Sequence, residues 1–339
     1  MDRDGYFGNS GTERDLVYRD LSVDLVAAGF CVIRYDNRGV RCNEMTMPKC
    51  PAGNSELQIS ECYLTACVDA EVRRTVSVQT QMDDVETMWN FTVSHPRVEP
   101  QRVVIWAHSE GGLNVARLVS ARRIGPLGVV IVGAAAESPA GLVHWQMVDG
   151  DAKHLMKWDA DGDGRVTLAD IDRHFPNDDL FPAMSLTREM LMPPSEGWTW
   201  LTARERFANI YLKTKAAALA KPDDGPYPHQ RGELRMVAAS NNWWKQWFED
   251  FTPMIDHLAE YRGHVSLHFG EIDSQSGGRR QWDFAENQIR SGIFAKVPRL
   301  VLHRNCGHSL RRHQPAAGPM DEEAKMRLID EIREIFSRR

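Results

Sequence analysis

The chain has 339 residues, 42% of them hydrophobic and 26% charged, with a formal net charge of −6 at pH 7. That length and apolar content allow a substantial buried core without forcing two independent domains. The negative charge gives no reason to expect nucleic acid or an anionic membrane surface as partner, no apolar stretch approaches a membrane span, and the polar opening residues do not read as a signal peptide.

Residues 12–28 have a helical pattern, 30–35 read as a strand and 79–94 as a helix. The apolar run 102–107 reads as a strand that ends in Ala107-His108-Ser109-Glu110-Gly111-Gly112 and leads into a helical pattern at 113–122. A strand, sharp turn and helix with serine at the apex holds the hydroxyl clear of the sheet, and the next backbone N–H, that of Glu110, points to where an oxyanion would form. Against the G-x-S-x-G template the first glycine is replaced by Ala107, and Gly111 and Gly112 supply the small residues beyond the serine. The competing reading is a plain strand-to-helix turn with an incidental serine.

A further strand is expected at 127–133, after which the strand–helix alternation stops until His264. Strands then recur at 264–270 and 298–304, and a final helix at 321–337 sets Met326, Leu328, Ile329, Ile332 and Ile335 on one face. Strands alternating with helices imply an α/β fold with a mostly parallel sheet flanked by helices.

A serine hydroxyl needs an imidazole to take its proton, and the imidazole needs an acid to orient it. Asp273 follows the strand at 264–270, and His308 follows the strand at 298–304, each just past the C-terminal end where open α/β sheets collect their chemistry. Glu271 and Asp283 compete for the acid's role. His303, alternating within an apolar strand, and His313, in a polar tail, compete with His308.

These segments, FCVIRYDNRG at 30–39, AHSEGG at 107–112, GEID at 270–273 and NCGH at 305–308, resemble the α/β-hydrolase superfamily in sequence and in the order Ser, Asp, His. Asp2-Arg3-Asp4-Gly5 further resembles a branch of bacterial esterases in which a His-Gly-Ser-Gly-Pro oxyanion loop immediately precedes Asp-Arg-Asp. The resemblance implies a serine hydrolase of small-molecule carboxylic esters. Ser109 would attack the carbonyl, His308 would shuttle the proton, Asp273 would hold His308, and Glu110 would donate its N–H to the oxyanion. No cofactor is implied for catalysis. A peptidase or thioesterase using the same triad, or a non-catalytic ligand-binding protein on this fold, are the alternatives.

The resemblance also implies that 140–255 is an inserted, mainly helical cap on a core of 1–139 and 256–339. The family's second oxyanion donor follows an early strand, and here the chain begins where that loop should end, so the N-terminal strands are missing or the hole is built differently. The backbone at residues 2–5 could still provide a donor. An unpaired sheet edge is then expected, and with it either reduced activity and stability or cover by another chain in a homo-oligomer.

Within the expected cap, residues 159–170 read DADGDGRVTLAD. Asp159, Asp161 and Asp163 take positions one, three and five of an EF-hand calcium loop, Gly164 permits the bend at six, Arg165 offers a carbonyl at seven, Thr167 stands at nine and Asp170 at twelve. Val166, at eight, anchors the loop to the core. A sensor loop would have Glu at twelve, so the shorter Asp170 implies weaker calcium binding or competition from magnesium. A static structural Ca²⁺ clamp is expected, with helices at 142–158 and 168–174 on either side; the alternative is an acidic surface turn without metal.

Cys42, Cys50, Cys62 and Cys67 crowd one connection, with Cys31 and Cys306 elsewhere. Two local disulfides would close that loop and suggest an oxidising compartment; zinc and free thiols are the other readings. Cys306 is expected as a wall of the site, and Trp198, Trp200, Trp243, Trp244, Trp247 and Phe248 as packing residues of the cap, some lining an acyl or aryl pocket. Residues 221–229 read as a turn-rich loop.

Overall fold

The computed structural model of the chain describes residues 17–41, 66–69, 71–72, 75–178, 181, 186–222, 240–312 and 319–337. Its centre is a sheet of four parallel strands in the order β1 (Val104–His108), β2 (Gly128–Val132), β3 (His264–Gly270) and β4 (Arg299–His303). The register sets Ala107 opposite Ile131, Ile131 opposite Leu267 and Leu267 opposite Leu300. β2 and β3 are buried along their whole length, as strands covered on both faces must be, and this explains the unbroken apolar run GVVIV.

The two faces of the sheet feed two cores. Val129, Ile131, Val265, Leu267 and Phe269 pack with α2 (Val78–Ser94), α3 (Glu110–Ser120) and α9 (Gly278–Arg290). Val130 and Val132, with side chains on the opposite face, pack with α1 (Val17–Ala27) and α10 (Glu322–Ser337) through Leu21, Leu25, Leu328, Ile329 and Ile332. The expected apolar face of the last helix is buried except at Met326, which is exposed.

Between β2 and β3 the described residues form helices: α4 (Pro139–Trp145), α5 (Asp151–Leu155), α6 (Leu168–His174), α7 (Trp200–Ala220) and α8 (Asn241–Glu249). The helix expected at 142–158 is interrupted by a π-helical turn at Gln146–Gly150 and ends in a 3₁₀ turn at Met156–Trp158. Hydroxyl caps start these helices: Ser138 accepts from the Gly141 N–H, Ser240 from the Trp243 N–H, and Thr199 forms a reciprocal box with Thr202. Trp158, Phe181, Phe207 and Trp198 form a third core with Leu155, Val166 and Ile171, separate from the two that cover the sheet.

Residues 30–35 depart from the sequence expectation. They are not a strand, because a strand exists only through a hydrogen-bonded neighbour and this segment pairs with none among the described residues. β1 correspondingly pairs on one side only, with β2. Residues 12–16, 2–5 and 223–229, for which structure was also expected, lie outside the described residues, as do Cys42, Cys50, Cys62 and His313. Cys67 is buried and disulfide-bonded to a partner outside the described residues, and Cys31 and Cys306 are free. No helix among the described residues is long and apolar enough to cross a membrane.

Candidate active site

Ser109 joins β1 to α3 in a conformation that L-residues rarely adopt, φ 52° and ψ −126°. Its N–H donates to Val132 O at 2.8 Å, which ties the turn to the end of β2, and its own carbonyl accepts from Gly112 N at 2.9 Å. The sharp turn brings α3 against the sheet so closely that a Cβ on Gly112 would stand 2.4 Å from Ile131 Cγ2 and 2.9 Å from Ala134 Cβ. A substituted Gly111 would make only ordinary contact with Ala107, at 4.0 Å, so the need for a small residue beyond the serine falls on Gly112. Strained backbone at one polar residue, enforced by packing on both sides, is how a fold presents a side chain at the head of a sheet.

Glu110 opens α3. Its side chain turns away from the turn and accepts a 2.5 Å hydrogen bond from the Trp243 indole N–H on α8. Helix α8 is held a second time, because Arg117 on α3 pairs with Asp250 just past its end.

Asp273 and His308 meet at the C-terminal ends of β3 and β4: Asp273 Oδ2 accepts from His308 Nδ1 at 2.8 Å. Asp273 is 4% exposed. Its other bonds come from the N–H groups of Gln275 and Ser276, at 2.8 and 3.1 Å to Oδ1, and from the Ser276 hydroxyl to Oδ2. Burial alone would raise the pKa of this carboxyl, but the His308 ring and these donors outweigh it and hold the group below the ordinary carboxylate value. Ionised Asp273 accepting at Nδ1 leaves Nε2 of a neutral His308 as the proton acceptor.

The ring of His308 is seated on Gly133, the residue just past β2, with φ 65°. A Cβ there would lie 2.5 Å from the His308 carbonyl oxygen and 3.3 Å from Nδ1. His108, the residue before the serine, supports it from the side. The two rings meet edge to face at 4.8 Å, and His108 Nε2 lies 3.2 Å from the His308 carbonyl. Tyr18 on α1 completes the support with a 2.6 Å hydrogen bond to His108 Nδ1. Burial lowers the His108 pKa to about 3, so the ring is neutral, takes the phenol's proton bond at Nδ1 and donates from Nε2 to the His308 carbonyl. The sequence alone assigns no role to Tyr18, His108 or Gly133; nothing in residue type separates a buried supporting histidine from any other strand residue.

The competitors fall elsewhere. Glu271 accepts from the backbone N–H of Asn305 at 3.1 Å, and Asp283 pairs with Arg279 one turn away on the surface of α9. His303 is a buried residue of β4 whose Nε2 lies 2.9 Å from His268 Nδ1. Cys306 does not line the cleft as expected. It is packed with Val130, Val132 and Leu310 in the core beneath α10, and burial pushes its thiol up to about 11, which removes it as a nucleophile.

Ser109, Glu110, Asp273 and His308 line one cleft of about 2200 Å³. Trp145, Gln146, Lys153, His154 and Trp200, from the helical region, line the same cleft. Trp243, Trp247 and Phe248 are instead buried core, as helical spacing suggested, while Trp244, also buried, reaches the cleft wall. The Asp273 loop is braced from α4's start: buried Glu137 pairs with Arg280 and takes the Gln281 amide N–H, while Gln281 Oε1 accepts from Ala136 N at 2.8 Å.

In the acidic loop, the carboxylates of Asp159, Asp161 and Asp163 offer oxygens within 4.8 Å of one another. Gly162 and Gly164 have φ 75° and 83°. Val166 is fully buried and its N–H and C=O both pair with Trp198 at 2.8 Å, anchoring the loop to the third core. Asp170 is not part of the cluster. Its Oδ2 accepts from the Thr167 N–H and hydroxyl at 2.9 and 2.7 Å, capping α6, so Thr167 and Asp170 satisfy each other rather than a common centre. Arg165 sends its guanidinium to Glu196 O at 2.7 Å while its N–H donates to Asp163.

A strand-to-helix serine shares one cleft with an Asp–His pair, on a parallel sheet flanked by helices. The sequence matches the alpha/beta hydrolase family over residues 7–317, and the chain belongs to that family. No curated protein sequence matches it significantly. Among solved structures, the chain is similar to a monoacylglycerol lipase of Paleococcus ferrophilus, at 14% identity and a TM-score of 0.42, covering 94% of this chain and 89% of that one. It is also similar to an esterase of Exiguobacterium antarcticum, at 14% identity and a TM-score of 0.43 over 94% and 87% of the two chains. A thermophilic esterase of Thermogutta terrifontis follows at 13% and 0.39, over 77% and 74%.

Proposed function

We propose that the protein is a serine hydrolase of carboxylic esters. The observation that carries this reading is Ser109 held at φ 52° on the β1–α3 turn in the same cleft as the hydrogen-bonded Asp273–His308 pair. His308 Nε2 takes the proton from Ser109 Oγ as that oxygen attacks the ester carbonyl. The Glu110 N–H at the start of α3 stabilises the oxyanion, and His308⁺ passes its proton to the leaving alkoxide. Water, deprotonated by the same ring, then attacks the acyl-enzyme and releases the acid. Asp273 stays ionised throughout and stabilises the imidazolium.

Residues 140–255 act in this proposal as a cap, with Trp145 and Trp200 offering apolar surface and Gln146, Lys153 and His154 polar groups to the substrate across from the serine. Asp159, Asp161 and Asp163, with the Arg165 carbonyl, hold a structural calcium ion that stiffens this cap; Thr167 and Asp170 join only if the α6 cap opens toward it. Calcium here neutralises carboxylates that would otherwise repel and takes no part in the chemistry.

Hydrolysis of a graded series of p-nitrophenyl acyl esters by the wild type and by Ser109→Ala tests the assignment. Turnover by the wild type, lost in the variant, together with labelling of Ser109 by a fluorophosphonate, is the expected result. A folded wild type that neither hydrolyses the series nor reacts with the probe would sink it. Activity on thioesters or peptides but not on esters would keep the triad and replace the substrate.

A further inference from the structure

Helix α3 carries an amide that the fold does not use. Asn114 is 4% exposed, and its Oδ1 is buried with no hydrogen-bond partner among the described residues. It follows Glu110 by one helical turn, so it stands about 6 Å further along the axis and on the same side. Both residues line the cleft that holds Ser109.

Helix α8 is pinned to α3 on both sides of this position, by the Trp243 indole on Glu110 and by Asp250 on Arg117. It nevertheless gives Asn114 no bond, and the Gln246 side-chain carbonyl is already committed to Val78 N at 3.0 Å. The cleft is walled here by Val115 of α3, Val143 of α4, Met147 of the π-helical turn and Trp244 of α8, each 5% exposed or less. Such a wall is apolar and shut off from bulk water. On the other flank α2 packs against α3 and presents Gln81 to the same cleft, where its Oε1 is also buried without a partner among the described residues.

A buried amide without a partner costs stability that an apolar residue of similar size would not, and in a binding cleft the missing partner is a group of the bound molecule. We propose that the recess at Asn114 is a hydroxyl-recognition subsite, and that the preferred ester carries a hydroxyl about 6 Å from its scissile carbonyl. A hydroxyl serves either face of the amide, donating to Oδ1 or accepting from Nδ2, while its carbon chain lies on the apolar wall. A plain alkyl chain would fill the same space, displace water and leave the amide unsatisfied. Under that condition a site discriminates most strongly between a hydroxylated substrate and its deoxy analogue. The substrate class rests on the proposed hydrolase reading, with the scissile carbonyl at the Glu110 N–H; the affinity of the recess for a hydroxyl does not.

Affinities of intact esters for the Ser109→Ala protein test the subsite without turnover, so its failure is told apart from a failure of the hydrolase reading, which shows as a wild type without activity. Two isosteric pairs place the hydroxyl on either arm of the ester: ethyl ω-hydroxyhexanoate against ethyl heptanoate, and ω-hydroxyhexyl acetate against heptyl acetate. In one pair the hydroxylated ester is expected to bind more tightly by about tenfold or more. Adding Asn114→Leu should erase that preference while the protein melts no lower, because an unsatisfied amide is removed. Asn114→Ala, which cannot overfill the recess, repeats the comparison. The proposal is overturned if neither pair shows a preference, which would leave water as the amide's partner, if the preference survives both substitutions, or if both lower the melting temperature, which would make the amide a structural group.

Discussion

The phenol of Tyr18 holds Nδ1 of His108 at 2.6 Å, and His108 in turn reaches the carbonyl of His308 at 3.2 Å, so a side chain of the first described helix helps fix the backbone of the proposed general base. The bond sets the tautomer. With Nδ1 occupied by the phenol's proton, the only proton of the neutral His108 ring sits on Nε2, where it can be given to His308. In Tyr18→Phe the ring can take either tautomer, and the support of His308 weakens by about one neutral hydrogen bond, roughly 1 kcal/mol. A fall in kcat of about fivefold with KM unchanged is expected. Equal kcat for the variant and the wild type would show that His308 is held without this chain.

Asp273→Asn should leave the fold in place and remove most of the activity. The amide can keep the bonds from the Ser276 and Gln275 N–H groups, but an amide nitrogen turned to His308 favours the tautomer with its proton on Nε2, which cannot accept from Ser109. A loss on the order of 10⁴ in kcat is expected for an acid in this role. Near-wild-type turnover in a well-folded variant would move the acid's role elsewhere, first to Glu271.

Gly133→Ala is expected to harm both stability and turnover. The φ of 65° disfavours any side chain, and the added methyl would press on the His308 carbonyl from 2.5 Å. Backbone cannot swing away as a side-chain tip can, so His308 must shift and lengthen its bond to Asp273. A loss of about 1–3 kcal/mol in unfolding free energy, with kcat reduced at least tenfold, is the expected pair of outcomes. Denaturant unfolding and ester turnover on the same sample read both.

Much of this could be read from the chain because it depends on local pattern. GVVIV, short, β-branched and unbroken by polar residues, has the composition of a doubly covered strand, and His264–Gly270 has the boundaries in the structure that its apolar run implies. AHSEGG places a serine at a strand end with small residues after it, and Asp273 and His308 each follow a strand by a few residues. Positions that depend on contacts between distant segments were not legible. Residues 30–35 have the composition of a strand, but pairing requires a neighbour that composition cannot supply. Asp170 fits position twelve of a calcium loop by spacing, yet it also fits the third position of a helix-capping box with Thr167, and the structure uses it there. Tyr18 and His108 are 90 residues apart and meet only once α1 is laid across the sheet.

Acid should destabilise the fold through buried histidines before it reaches the carboxylates. Burial lowers the pKa of His108 to about 3 and of His303 to about 4, and it also lowers that of His268, hydrogen-bonded to His303. Between pH 6.5 and about 4 the unfolded chain binds protons at these rings that the folded chain refuses, so unfolding free energy rises with pH across that window and falls on acidification. Each ring contributes up to about 1.4 kcal/mol per pH unit. Asp273, whose pKa is lowered in the folded state, stabilises above the ordinary carboxylate value, and that contribution is lost only as pH falls below it. Urea midpoints that are flat from pH 7 down to 5 would contradict this account.

Calcium should raise the melting temperature through the loop at 159–164, and the response should depend on charge rather than on the loop's shape. Asp159 shapes the turn, accepting from Gly162 N and Gly164 N at 2.9 Å each, whereas Asp161 and Asp163 make one bond each to a backbone N–H within the loop, bonds that asparagine can keep. At a calcium concentration one hundred times the dissociation constant, binding stabilises by about 2.7 kcal/mol, a shift of several degrees for a chain of this size. The double variant Asp161→Asn, Asp163→Asn should lose that shift while melting no lower than the wild type in chelator, because it removes like charges that only an ion offsets. Asp170→Glu suits the capping box equally well and reaches further, so it should sharpen the calcium response. Identical melting of the wild type in calcium and in chelator would reduce the loop to an acidic turn anchored by Glu196 and Trp198.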